Sequence, residues 1–371
     1  MTFADFNLLP SLQSSLLAQE FTRPTEIQAR AIPELLGGQS VVGVAETGSG
    51  KTLSYALPIL HLLKSRENDG NPVDTPAEPR AWVVVPSREL GEQVARVFKG
   101  FTHDTRLRVR TVLGGAKMEL ATRNVSGPFE VLVATPGRLI QLMEKKIISL
   151  AAVRILVLDE ADQLLDQGFV NDIHKMVAAC PSKRQLALFS ATVPPPVEKL
   201  IAKIFSHPVV IRSKGSHHVV ATLKTINRNV IGGNRFALLQ EILAQGKQGS
   251  TILFVNTREQ CDVLAAQLQE GGWRFAMYRG EMDKNERRAN LKEFREGTVD
   301  LLISTDLASR GLDVDKVSRV INYHLPQQMQ NYLHRVGRTA RAGRDGQVIN
   351  FVTVRDRPLV AQLEKVKAPK R

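Results

Sequence analysis

Residues 45–52 read Ala-Glu-Thr-Gly-Ser-Gly-Lys-Thr. Gly48 and Gly50 let a backbone wrap an anion with its N–H groups turned inward. Lys51 adds a point charge for outer phosphates, and the Thr52 hydroxyl can ligate magnesium. The usual string, G-x-x-x-x-G-K-S/T, begins on glycine, and this chain has Ala45 there. The Gly48-x-Gly50-Lys51-Thr52 core is kept, with Glu46, Thr47 and Ser49 filling the loop. A second source of acid is Asp159–Glu160–Ala161–Asp162. Alone, these residues suit the N-terminus of a helix, where the dipole favours carboxylates. Beside a phosphate loop, Asp159 reads as the magnesium-side acid and Glu160 as a candidate base for water.

Such groups need a scaffold that brings distant loops to one edge. Val41–Val44 precedes the loop, and Ile155–Leu158 precedes Asp159. Ala81–Val85, Val131–Ala134, Ile252–Val255, Leu301–Ile303 and Val320–Tyr323 are similar short apolar runs. Continuous apolar runs fit parallel strands covered on both faces. Between them, Ser87–Gly100 carries Leu90, Val94, Val97 and Phe98 at helical spacing. The alternation predicts two α/β domains with parallel sheets, each flanked by helices. Ligands gather at the C-terminal ends of such strands. Ser65–Arg80, with its prolines and charges, reads as an exposed, mobile loop.

The polar stretch around Ser213–His218 reads as a linker. The expected division is a first domain over 1–212, a linker over 213–220 and a second domain over 221–356. A C-terminal helix and basic tail would follow over 357–371. The net charge of +13 is uneven, about +3 over 1–212 and about +10 over 213–371. A basic excess points to an anionic partner without naming it. The chain is too apolar for a disordered protein, and it has no run long enough to span a bilayer. The first residues lack a basic segment of the secretory kind. Two cysteines, Cys180 and Cys261, cannot make a disulfide framework or a zinc site alone. A reducing, soluble compartment is expected.

Asp159–Glu160–Ala161–Asp162 spells D-E-A-D, and with the phosphate loop the chain resembles the DEAD-box RNA helicases. The resemblance runs from Phe3 to about Val354 and rests on about ten motifs in order. Phe21–Gln28 looks like the family's Q motif. There Gln28 would read an adenine edge, Arg23 would pack on the base, and Phe3 matches the upstream aromatic. Pro86–Leu90 (PSREL), Gly114–Gly115 and Thr135–Pro136–Gly137–Arg138 match motifs that face RNA. Pro86, Arg88, Gly114, Gly115, Thr135, Pro136, Gly137 and Arg138 are therefore candidate RNA contacts. Ser190–Ala191–Thr192 matches the motif that couples nucleotide state to strand separation, together with Asp162. In the second half, Thr257, Thr305 and Arg310 match RNA-facing positions, while Gly311 and Asp313 match nucleotide-facing ones. His334–Arg341 looks like the last motif, with Arg338 and Arg341 as arginine fingers on one helix face or turn.

The resemblance implies two tandem RecA-like domains with a cleft between them, using ATP and Mg2+. It implies an RNA-dependent ATPase that grips single-stranded RNA across both lobes and locally unwinds short duplexes. Contacts to phosphate and sugar would give little base specificity and an affinity that falls steeply with salt. A cytoplasmic monomer is expected, with no membrane role. With no RNA-binding module after Val354, partner proteins or the basic tail would supply RNA specificity. A non-catalytic RNA clamp and a DNA translocase are the rival readings. Lys51, Glu160, Arg338 and Arg341 disfavour the first, and the D-E-A-D and Q motifs the second. Three positions depart from the family's habit. Arg279 replaces a usual His, Lys284 a usual Gln, and His324 a usual acid. Arg279, Lys284 and His324 read first as solvated substitutions, with a change of the second domain's RNA-gripping surface towards positive charge as the alternative.

Overall fold

The computed structural model describes the chain apart from residues 47, 116, 214–222, 247–248, 281, 307–316, 340–345 and 368–371. Two compact units result, Met1–Ser216 and His217–Arg371.

The first unit holds one seven-stranded sheet. Its strands are β1 (Val41–Val44), β2 (Ala81–Val84), β3 (Val109–Val112), β4 (Val131–Ala134), β5 (Ile155–Asp159), β6 (Gln185–Ser190) and β7 (Val209–Arg212). The order is β3-β4-β2-β5-β6-β1-β7, and every pairing is parallel. Successive side chains of a strand face opposite sides. Val83, Val133 and Val157 therefore enter one core, and Trp82, Leu132 and Leu156 the other. Helices cover both faces, so the central strands β1, β2 and β4 read as unbroken apolar runs.

Helix Lys51–Asn68 begins on the phosphate loop and carries its apolar side chains into the first core. It extends four residues into Ser65–Arg80, which had been expected to be loop. The rest of that stretch is pinned. Val73 is buried, and its carbonyl accepts a 2.7 Å hydrogen bond from Arg108 Nη2. Arg108 in turn grips the buried Glu130 through Nη2 and Oε1 at 2.5 Å.

The second unit repeats the plan with six strands. These are β8 (Leu223–Asn229), β9 (Ser250–Val255), β10 (Ala276–Tyr278), β11 (Leu301–Thr305), β12 (Val317–Asn322) and β13 (Gly346–Val352). The order is β10-β11-β9-β12-β13-β8, again all parallel. Ile252 and Phe254 enter one core and Leu253 and Val255 the other. Helix Arg357–Lys367 buries Leu359 and Leu363 in the first of these, so it belongs to this unit's packing.

Candidate functional site

Parallel strands put their C-terminal ends on one edge. On the first sheet that edge carries the phosphate loop after β1, Pro86 after β2 and Gly114 after β3. It also carries Thr135 after β4, Glu160 after β5 and Ala191 after β6. The residues singled out from sequence thus arrive together through topology alone.

The phosphate loop turns through Gly48 and Gly50, whose φ values of 86° and 89° an L side chain resists. Ala45 has no such φ, and its methyl is buried in the core, so glycine is not needed there. Ser49 Oγ donates to the Glu46 carbonyl at 2.6 Å. Lys51 Nζ donates to the carbonyls of Ala45 and Glu46 at 2.8 and 3.0 Å, folding the ammonium onto its own loop. Gln28 is buried and spans two elements. Its Oε1 accepts from the Thr25 N–H at 2.9 Å, and its Nε2 donates to the Gly50 carbonyl at 3.1 Å. The Q motif is therefore tied to the phosphate loop, with one amide hydrogen and one lone pair left over. Arg23 is exposed nearby in sequence. Phe3 is buried in the core, edge-on to Phe6 and Phe21.

Asp159 ends β5 and is 2% exposed. Its Oδ1 accepts from the Glu160 N–H at 3.0 Å, and its Oδ2 accepts from the Tyr55 hydroxyl at 2.6 Å. Burial pushes this carboxyl above its usual pKa, opposed by the Lys51 ammonium and the Tyr55 hydrogen bond. Burial, with Asp159 beside it, pushes the Tyr55 phenol well above its usual value. Glu160 sits at φ 51°, a left-handed conformation that non-glycine residues rarely take. Its carboxylate accepts a hydrogen bond from Gln163 Nε2. The Oε1 of Gln163 is buried without a partner among the described residues. Asp162 Oδ2 accepts from both the N–H and the hydroxyl of Thr192, at 3.0 and 2.8 Å. Ser190 Oγ accepts from the Asp162 N–H at 3.1 Å. The coupling residues named from sequence thus form one hydrogen-bonded set.

A second group lies along the same edge. Arg88 Nη1 donates to the Gly114 carbonyl at 3.3 Å, and the Gly114 N–H donates to Thr135 Oγ1 at 2.9 Å. Gly115 has φ 76°, and Arg88 Nη1 lies where a Cβ on it would come to 3.6 Å. Ser87 caps helix Arg88–Gly100 by accepting from the Leu90 N–H at 3.2 Å, so the serine serves where threonine is usual. Pro136 opens helix Pro136–Glu144, with Gly137 and Arg138 in its first turn. Arg138 Nη1 donates to Gln141 Oε1 at 2.9 Å.

On the second unit, Thr257 is exposed and caps helix Arg258–Glu270, accepting from the Gln260 N–H at 3.2 Å. Thr305 ends β11 and is buried. Arg338 is buried in the turn after helix Met329–Val336, its Nε donating to the His334 carbonyl at 3.3 Å. Thr47, Arg310, Gly311, Asp313 and Arg341 lie outside the described residues. Arg279 pairs with Asp262 at 3.1 Å, so part of its charge is spent within the unit. Arg287 lies over the Tyr278 ring, 5.6 Å from its centroid, the kind of cation–π contact that steadies an arginine.

Sequence reasoning passed over the residue with the densest contacts here, Arg335. Its Nε and Nη2 grip the two Asp306 oxygens at 2.5 and 2.8 Å. Nη1 donates to Asn322 Oδ1 at 3.1 Å and to the His324 carbonyl at 2.6 Å, and Nη2 also reaches Asn256 Oδ1 at 2.8 Å. The guanidinium lies over Phe254. Behind it, Asn322 donates to Asn350, which donates to Asn227. Asp306 and Asn256 directly follow β11 and β9, and His324 lies two residues past the end of β12, so one arginine ties three loops together.

Residues 25–200 match the DEAD/DEAH box helicase family, and residues 234–343 match the helicase conserved C-terminal domain. The chain is 35% identical to the RNA helicase CrhR of Synechocystis, over 98% of this chain and 72% of that protein. It is equally identical to the ATP-dependent RNA helicase DeaD of Buchnera aphidicola, over 98% of this chain and 59% of that protein. Against a solved structure of S. cerevisiae Dbp5 bound to RNA and ADP BeF3, it aligns at 30% identity with a TM-score of 0.87. That alignment covers all of this chain and 94% of the other. The chain belongs to the DEAD-box RNA helicase family. It spans between about six-tenths and seven-tenths of the length of these two helicases.

Proposed function

We propose that this protein is an RNA-dependent ATPase that locally opens short RNA duplexes with little base specificity. The observation that carries this is the meeting of two parts at one sheet edge. A Gly48-x-Gly50-Lys51 loop lies beside the acids of the D-E-A-D segment, whose Asp162 is bonded to Thr192. The same edge presents Arg88, Gly114 and Thr135 as a bonded cluster with phosphate-binding chemistry. CrhR is named an RNA helicase and DeaD an ATP-dependent RNA helicase, which supports this reading.

In this reading Lys51 releases its two loop carbonyls and turns to the outer phosphates of ATP. Gln28 reads the adenine edge with its spare amide hydrogen and lone pair, and Arg23 packs on the base. Glu160 takes a proton from the attacking water, and Arg338 and Arg341 stabilise charge on the transferring phosphoryl group. Thr52 and Asp159 would hold a magnesium ion, which supplies positive charge against the phosphate oxygens when bound with nucleotide. The donors fit it, for both are hard oxygens, and such an ion needs few protein ligands once phosphates share it. Among the described residues no cluster of three or more His, Cys, Asp or Glu could hold a metal without such help.

Thr257, Thr305 and Arg310 contact the RNA backbone, and partner proteins choose the RNA. The protein works as a cytoplasmic monomer; no helix among the described residues is long and apolar enough to cross a membrane. The test is phosphate release with and without RNA, for parent and Glu160→Gln. Parent turnover should rise with RNA more than with DNA of the same sequence. Glu160→Gln should bind ATP and RNA yet release almost no phosphate. Equal turnover by the two proteins would remove Glu160 from the chemistry, and RNA-independent turnover would remove the proposal.

A further inference from the structure

The geometry points to Tyr55 as a positioning residue for the Mg2+–nucleotide site, its phenol fixing the Asp159 carboxylate from beneath. The inference rests on the nucleotide reading above and adds a residue to it. In sequence Tyr55 is one more bulky side chain on an apolar helix. Phenylalanine would serve that packing equally well, so the hydroxyl calls for its own reason.

The structure supplies one. The Tyr55 ring is fully buried, packed 5.4 Å from the Phe189 ring and 6.2 Å from the Phe98 ring. A buried phenol hydroxyl without a partner is costly, and this one has a partner, Asp159 Oδ2 at 2.6 Å. The ring cannot move without disturbing two aromatic neighbours, so its oxygen is a fixed point. Asp159 is thereby held at both oxygens, by Tyr55 and by the Glu160 N–H. Two of its roughly four lone-pair positions are used, and the others stay available to a ligand. Thr52, one turn earlier on the same helix, lies beside the same hydroxyl. A single phenol therefore adjoins both groups to which the magnesium role is assigned. Partners of this kind, bonded behind a ligand, typically set metal affinity by about 10–100-fold.

The test is Tyr55→Phe in the full chain, with mant-ADP as the probe and MgCl2 titrated. The variant should need about tenfold more Mg2+ for half-maximal mant-ADP binding, while binding in EDTA stays at the parent level. An Mg2+ requirement within twofold of the parent would overturn the role of Tyr55. A parent that fails to bind mant-ADP would instead remove the nucleotide reading beneath it. Should Tyr55→Phe fail to fold, the parent labelled with 3-fluorotyrosine decides. It has four tyrosines, and Phe variants of Tyr278, Tyr323 and Tyr332 assign the fourth fluorine resonance. That resonance should move when Mg2+ is added to the ADP complex. A resonance that stays still while Mg2+ tightens ADP binding would overturn the inference.

Discussion

Replacing Arg335 by Met keeps a long side chain and deletes every donor of the guanidinium. The side chain is 1% exposed, and Asp306 is 23% exposed. Breaking a buried ion pair typically costs about 3–5 kcal/mol, because the remaining charge is left without its partner. Asp306 retains some access to water, so the lower end, about 3 kcal/mol, is the better figure for that pair. The side-chain Oδ1 of the fully buried Asn322 loses this donor, which adds about 1–3 kcal/mol. The sum is about 5 kcal/mol, a large share of the roughly 5–15 kcal/mol that holds a domain folded. With a urea slope of about 2 kcal/mol/M, the midpoint of the second unit should fall by about 2.5 M. The chain has two tryptophans, Trp82 in the first unit and Trp273 in the second. Urea melts of single-tryptophan forms, made with Trp82→Phe or Trp273→Phe, therefore report one unit each. Arg335→Met should shift the Trp273 transition and leave that of Trp82 in place. A Trp273 midpoint within about 0.3 M of its parent would refute the claim that Arg335 ties the three loops.

Three further outcomes are expected. Arg338→Ala should keep ATP binding and lose about 10³–10⁵ in kcat, and a normal kcat would end its assignment as a finger. Gln163→Leu removes the amide that bonds Glu160 and should lower kcat about tenfold with KM for ATP little changed. Unchanged single-turnover hydrolysis would show that Glu160 needs no such hold. Burial, with Arg235 and Arg335 nearby, pushes His324 down to about 4, and Asp356 opposes this only weakly. The folded chain thus prefers the neutral ring. The stability this gives is complete above the unfolded value near 6.5 and is lost as pH falls through about 4. The ceiling is about 3 kcal/mol, and solvent screening of a partly exposed ring brings it to about 1–2 kcal/mol. Urea melts of the second unit between pH 7 and 4 should show the loss, and His324→Gln should flatten it. An identical pH profile for parent and variant would refute the assignment.

The central strands were legible because burial on both faces demands unbroken apolar runs, as in Val131–Ala134 and Ile252–Val255. Edge strands carry no such demand. β3 alternates, with Arg110 exposed, and β8 is mostly half-exposed after Leu223, so neither stands out from loop. β10 has only three residues. β6 is central and its Leu186–Phe189 run is as apolar as any, so it was open to the same reading. At the site, glycines and charges at fixed spacing announced the phosphate loop and the D-E-A-D acids. Tyr55 did not announce itself, since its partner lies 104 residues away and its apolar surroundings account for an aromatic ring. Arg335 meets Asp306 across 29 residues, and only the closed sheet brings them together. The helix at Ser65–Asn68 was hidden by the prolines and charges just beyond it.

The strand order also dictates when each unit can be completed as the chain leaves a ribosome. In the first sheet, the last strand, β7, docks beside β1, so the sheet can close once Arg212 has emerged. In the second, the first strand to emerge, β8, lies at an edge and pairs with β13, the last. The contact between Asn227 and Asn350 spans 123 residues. Throughout that stretch of synthesis β8 waits without its neighbour, and long-range parallel pairing is slow. Its Lys224 and Arg228 make it a poor template for stray pairing with other chains during the delay. The first unit is by then complete, so the delay falls on the second unit alone.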